Sequence, residues 1–165
     1  MIAHYLLLCL MLLELAACGS NASSGTTLAA DEPNFTAKTR TNGTVTVVDV
    51  AATNMVQSDA IDYNRVVITV NYDMSCFSSS VARVGNLLDG FLVQTDTSTP
   101  GVMIYTATSD HSPANNSGSL MSVSLAGIKD CSDKLESVIG ININSETHKA
   151  GVSMISNQSI PVTAR

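Results

Sequence analysis

Asp110, His111 and Ser112 set a carboxylate, an imidazole and a hydroxyl side by side. Those are the groups of nucleophilic acyl transfer, in which a base takes the hydroxyl proton and an acid orients the base. Three consecutive residues do not form that relay, because its members must converge on one point from different stretches of chain. No Gly-x-Ser-x-Gly turn presents another nucleophile. Residues 110–118, rich in Asp, Ser, Asn, Pro and Gly, read instead as a polar loop. No catalytic residue is expected.

Metal ligation fares similarly. His148 is the only histidine besides His111 outside the first 17 residues, and no His-x-x-x-His spacing is present, so no zinc centre is expected. Asn142, Asn144 and Glu146 alternate oxygen ligands, with Asp130 and Asp133 close by in sequence. Calcium takes such oxygens from loops, in an Asp-x-Asp-x-Asp-Gly pattern that is absent here. Their period of two is that of the wet face of a strand. Met74, Met103, Met121 and Met154 carry the soft thioethers that copper favours. They fall at strand spacing, where Met serves as core filler. No glycine-rich phosphate loop occurs either. The reading is no metal and no cofactor.

The four cysteines, Cys9, Cys18, Cys76 and Cys131, say more. Cys9 lies in the apolar run of residues 5–13. That length suits the centre of a signal peptide, about 7–15 residues, and falls short of the roughly 20 needed to span a bilayer. Leu15-Ala16-Ala17-Cys18-Gly19-Ser20 follows. This stretch resembles the lipobox of bacterial lipoproteins. The resemblance implies that residues 1–17 are a signal peptide cut off before Cys18. It also implies that the Cys18 thiol is acylated, and that Gly19 and Ser20 direct the protein to the outer membrane. A thiol suits that role as a nucleophile. Several acyl chains are needed because each buried methylene adds only about 0.8 kcal/mol and one chain holds marginally. Cys76 and Cys131 are then an even pair in an exported chain, which reads as a disulfide.

Composition narrows the partners. The chain has 8 basic and 14 acidic residues, a net charge of −6, and no Trp. A mildly acidic chain with no basic cluster is not expected to bind nucleic acid. The expected partners are a membrane, through the lipid anchor, and a protein of the cell envelope. Five Asn-x-Ser/Thr sequons, at Asn21, Asn34, Asn42, Asn115 and Asn157, are little above chance for a chain so rich in these residues. They keep a secreted eukaryotic glycoprotein as the alternative, beside a small-ligand carrier or enzyme.

The elements that must carry these residues are strands. After residues 18–41, read as a flexible tether of small polar residues, a β-branched run opens at Asn42-Gly43. Val66, Ile68, Val70, Tyr72, Met74 and Cys76 occupy every second position, which places Cys76 on the core side of one long strand. Val81, Val84 and Leu88 fall at helical spacing and predict a short helix over 80–88. Strands at 90–95 and 102–108 should form a hairpin around Pro100-Gly101. Alternation returns at Met121, Val123 and Leu125 and at Ile139, Ile141 and Ile143. In between, residues 129–136 form a charged connection in which Ser132 can cap one helical turn. Two last strands, 151–155 and 160–163, are split at residues 156–158. Seven to nine short strands predict an all-β antiparallel sandwich over 42–165, immunoglobulin-like in architecture, with one short helix. The expected function is that of a membrane-tethered envelope lipoprotein whose sandwich binds or supports without catalysis.

Overall fold

Alternating burial along ten strands builds two five-stranded sheets that share one core. The computed structural model describes residues 33–55, 63–113, 115–149 and 152–164. In chain order the strands are β1 (Asn34–Asn42), β2 (Val45–Thr53), β3 (Tyr63–Tyr72), β4 (Phe77–Val84), β5 (Leu92–Asp96), β6 (Val102–Ser109) and β7 (Ser117–Gly127). A short helix, α1 (Leu135–Val138), precedes β8 (Ile139–Lys149), β9 (Val152–Ile160) and β10 (Val162–Ala164). One sheet runs β10-β1-β2-β7-β4 and the other β5-β6-β3-β8-β9. All pairings are antiparallel except the parallel contact of β1 with β10. The fold is the antiparallel β-sandwich expected from the sequence.

The core follows from the period of two. Val48 and Val50 of β2 and Val123 and Leu125 of β7 face Val66, Ile68 and Val70 of β3 and Ile141 and Ile143 of β8, all essentially inaccessible. Ile68 sits between Tyr105 and Ile143 in register. Tyr105 is 1% exposed, and among the described residues its hydroxyl has no hydrogen-bond partner. Burial therefore pushes its pKa from 10.0 up to about 12. The fold disfavours only the phenolate, so this residue leaves stability unchanged below pH 10 and subtracts from it between pH 10 and about 12. Tyr105→Phe should be neutral to stabilising at pH 7, because no hydrogen bond is lost. Denaturant titrations at pH 7 and pH 11 should show the variant gaining on the wild type at the higher pH. An equal loss at both would mean that the hydroxyl has a partner after all.

Four boundaries differ from the sequence reading, each for a physical reason. Strand β1 starts at Asn34 and takes in the last part of the expected tether: Phe35, Ala37 and Thr39 alternate as its buried residues. That buried row holds a single large hydrophobe, and its partners Val162 and Thr163 come from the far end of the chain. The expected helix over 80–88 is edge strand β4 followed by one 3₁₀ turn at Asn86–Leu88. Val81 and Val84 point to solvent, 62% and 51% exposed, so their helical spacing did not mark a buried stripe. β3 stops at Tyr72. A turn over 73–76, with the N–H groups of Cys76 and Phe77 donating to the Asp73 carbonyl, leaves Met74 half exposed and still buries Cys76. The final split falls at Pro161 and not at residues 156–158. Proline has no N–H to give a ladder, and there the chain crosses from one sheet to the other.

Helix α1, preceded by a 3₁₀ turn at Ser132–Lys134, sits in the connection where one helical turn was expected, but Ser132 is inside that turn and no side chain caps either piece; Asp130 orders the entry instead. Its Oδ1 accepts from the Ser132 N–H at 3.1 Å and from Ser132 Oγ at 2.8 Å. These bonds, the backbone one first, hold the Asp130 carboxyl below the usual carboxylate range.

Candidate functional site

The outer faces of the two sheets differ in chemistry. On the β10-β1-β2-β7-β4 face, Lys38, Arg40, Asp49 and Arg83 supply charge. Asp49 is tied down there by Arg40 Nε at 3.5 Å and by Ser122 Oγ, which donates at 2.8 Å. The opposite face is built by the register of β5, β6, β3, β8 and β9. Its first row reads Leu92, Thr108, Arg65, Glu146, Ile155, and its second Gln94, Thr106, Val67, Asn144, Asn157. Asp96, Ile104, Thr69, Asn142 and Ser159 form the third. At about 4.8 Å per strand these rows span roughly 20 Å.

That face is rich in Thr and Asn, and its charges on these rows are Arg65, Glu146 and Asp96. Its one cation on these rows, Arg65, lies 3.9 Å from Glu146. The Asp96 carboxyl accepts the Ser98 N–H at 2.8 Å, which holds it below its ordinary pKa. Set into this surface are Leu92 and Ile155, each 66% exposed, and Ile104. They stand on three different strands, Leu92 and Ile155 at the two edges of the sheet.

The residues singled out in the sequence separate onto different parts of the molecule. His111 does gather a hydroxyl and a carboxylate, but from Ser109 and Asp110, not from Ser112. Ser109 Oγ lies 2.7 Å and Asp110 Oδ1 3.0 Å from the same ring nitrogen, Nδ1. A relay needs the nucleophile on one nitrogen and the acid on the other. Here both compete for one, while the other nitrogen faces Gly90 and the ring packs edge-on against Phe91 at 5.8 Å. The His111 hydrogen bond holds the Asp110 carboxyl below its ordinary range, and both side chains are exposed. The arrangement orders a loop end.

Asn142, Asn144 and Glu146 line the outer face of β8, while Asp130 and Asp133 belong to the connection before α1. Among the described residues, no group of three His, Cys, Asp or Glu side chains converges as metal ligands do. Met103 and Met121 are wholly buried core residues, whereas Met74 is exposed. The side chains of His148 and Met154 lie outside the described residues, as do Cys18 and Asn21. The sequons at Asn34, Asn42, Asn115 and Asn157 are all at exposed positions.

Cys76 and Cys131 are joined, with Cα atoms 6.0 Å apart and 55 positions between them in sequence. Both are buried.

No family model matches the sequence, and no curated protein matches it. Solved structures with a similar chain trace exist. A non-cellulosomal cohesin from Archaeoglobus fulgidus is 13% identical, with 78% of this chain and 91% of that one covered, at a TM-score of 0.48. A cohesin module from a Clostridium perfringens family 33 glycoside hydrolase is 11% identical over 81% and 98%, at 0.47. The collagen-binding subdomain of the Enterococcus faecalis surface protein ACE is 7% identical over 79% and 94%, at 0.44.

Leu92, Ile104 and Ile155 were not singled out from the sequence. Their signal is nonetheless local. Ile104 stands between Met103 and Tyr105, so one of the two phases had to expose a large apolar residue. Which phase faces the core was settled by pairing.

Proposed function

We propose that this protein is a non-catalytic binding module, held at a membrane by lipid on Cys18, that docks a protein partner on the outer face of the β5-β6-β3-β8-β9 sheet. The observation that carries the docking part is the register that places Leu92, Ile104 and Ile155 on one outer face, among rows of neutral Thr and Asn side chains. Protein interfaces place apolar anchors among neutral polar groups and keep charge away from the centre. The Thr and Asn rows supply hydroxyls and amides for that purpose, whereas the opposite face sets its exposed valines, Val45 and Val81, among Lys38, Arg40 and Arg83. The anchor part rests on Leu15-Ala16-Ala17-Cys18 and on the chemistry of thiol acylation.

One experiment addresses both parts. The full chain is expressed in a bacterial host with labelled palmitate, carrying a photo-crosslinking residue either at Ile104 or, on the other face, at Val47. The wild-type anchor should take up label and Cys18→Ser should not. Crosslinking from position 104 should yield a discrete heavier species that position 47 does not give. Leu92→Asp together with Ile155→Asp should remove that species while leaving the melting temperature unchanged. Equal labelling of wild type and Cys18→Ser would reject the anchor. The same species from both faces, or none from position 104, would reject the docking surface.

A further inference from the structure

An edge strand leaves a row of backbone N–H and C=O groups without a ladder partner, and sheets that stay apart protect such edges with charge, irregular pairing or short length. The four edges here are β4 and β10 of one sheet and β5 and β9 of the other. Three of them are protected. β4 carries Arg83 and a break in register between Phe77 and Ser79. β10 is three residues long. β5 is five residues long and carries Asp96. β9 is different. It runs nine residues, Val152–Ile160, without a charge, a proline or a glycine. Its pairing with β8 is unbroken, from Val152 opposite Lys149 to Ile160 opposite Ile141. Among the described residues no strand pairs with its other side.

The side chains of this edge select what can lie against it. Ile155, Asn157 and Ser159 share the outer face of β9, and Ile155 is 66% exposed. A strand that fits must be neutral and must bring one apolar residue to the level of Ile155. β9 itself meets both conditions. Laid antiparallel on its own copy about a twofold axis at Ile155, it sets that residue opposite the partner's Ile155. Residues 156 to 158 then lie opposite residues 154 to 152 of the partner subunit. No like charges meet, and a β-branched cross-strand pair is a favourable one. The paired stretch ends at Gln158, whose Nε2 donates to the Pro33 carbonyl at 3.2 Å where the chain enters β1.

We infer that two copies of this chain join β9 to β9 about that axis, so that their β5-β6-β3-β8-β9 sheets become one antiparallel sheet of ten strands. A twofold contact of this kind uses the same surface on both copies and closes on itself. The edges it leaves free are the protected ones, so the pairing stops at two. It places the outer faces of the two sheets side by side, and it does not depend on a partner docking there.

The test co-expresses two full chains, one with an affinity tag and one with a distinct epitope, and measures how much of the second is recovered with the first. Wild-type chains should be recovered together. Ile155→Lys in both chains should lower recovery about tenfold, the scale of one isoleucine side chain left unburied. Ile155→Lys in one chain with Ile155→Glu in the other should restore it, because the axis sets the two substituted residues opposite each other. That restoration separates a lost contact from a lost fold. Leu92→Asp with Ile104→Asp in both chains should leave recovery at the wild-type level, so failure of the docking surface and failure of this seam read out separately. No joint recovery of wild-type chains, undiminished recovery with lysine in both, no restoration by the Lys–Glu combination, or a loss caused by Leu92→Asp with Ile104→Asp would each overturn the inference.

Discussion

Cys76→Ala and Cys131→Ala should each lower the melting temperature by on the order of 10 °C, and the double variant should melt no lower than either single one. The bridge closes a loop of 55 residues, for which the chain-entropy model gives about 4 kcal/mol. A domain of this size loses roughly 3 °C for each kcal/mol. The loop spans β4 through β7, so the bridge ties the start of β4 to the connection that precedes β8. Both sulfurs are buried in the core cluster, and a single substitution leaves one thiol in an apolar setting that tolerates it. That is why the second substitution should add little. Thermal melts followed by circular dichroism, with intact-mass analysis of the unreduced protein, decide the matter. Free alkylation of both Cys76 and Cys131 in the native, unreduced protein would sink it. So would additive losses in the double variant.

The second large effect is at Gly85. Gly85→Ala should destabilise the domain by about 3 kcal/mol or more, the upper range for a core that cannot make room. The backbone there is φ −88°, ψ 162°, which any residue adopts, so the cost is not conformational. It is steric. A Cβ would overlap the Ser119 carbonyl and lie 2.6 Å from the Leu120 carbonyl carbon, both backbone atoms that cannot swing aside. The Gly85 N–H donates to the Leu120 carbonyl at 2.9 Å, and this close crossing lets the chain leave β4 along β7 and bury Leu87 and Leu88. Gly43→Ala is the control. Gly43 has φ +61° with open space around its Cβ position, so only the left-handed backbone is penalised, at about 1 kcal/mol. Urea denaturation of both variants should rank them in that order. Equal losses would mean that the β4–β7 crossing relaxes without cost.

What the sequence by itself determined is whatever rests on period and on residue chemistry. Val66, Ile68 and Val70 alternate with Val67, Thr69 and Asn71, and no packing was needed to read a strand with one buried row. Pro100-Gly101 joins two such runs and made the β5–β6 hairpin legible, because its partners are neighbours in sequence. The even pair of cysteines named its own disulfide in the same way. Tertiary structure alone decided three things. It made residues 34–42 a strand, since the partners of β1 that close that side, Val162 and Thr163, lie more than a hundred positions away. It turned the helical spacing of Val81, Val84 and Leu88 into an exposed edge strand and a 3₁₀ turn, because burial against β7, not spacing, chose the conformation. And it decided which side of each strand meets water. A shift of one residue in pairing would bury Leu92, Ile104 and Ile155 and expose Met103, Tyr105 and Ala107, and only the sum of contacts across both sheets rules that out. The candidate binding face is therefore a property of the register, held in place by a core that draws on residues from Phe35 to Val162.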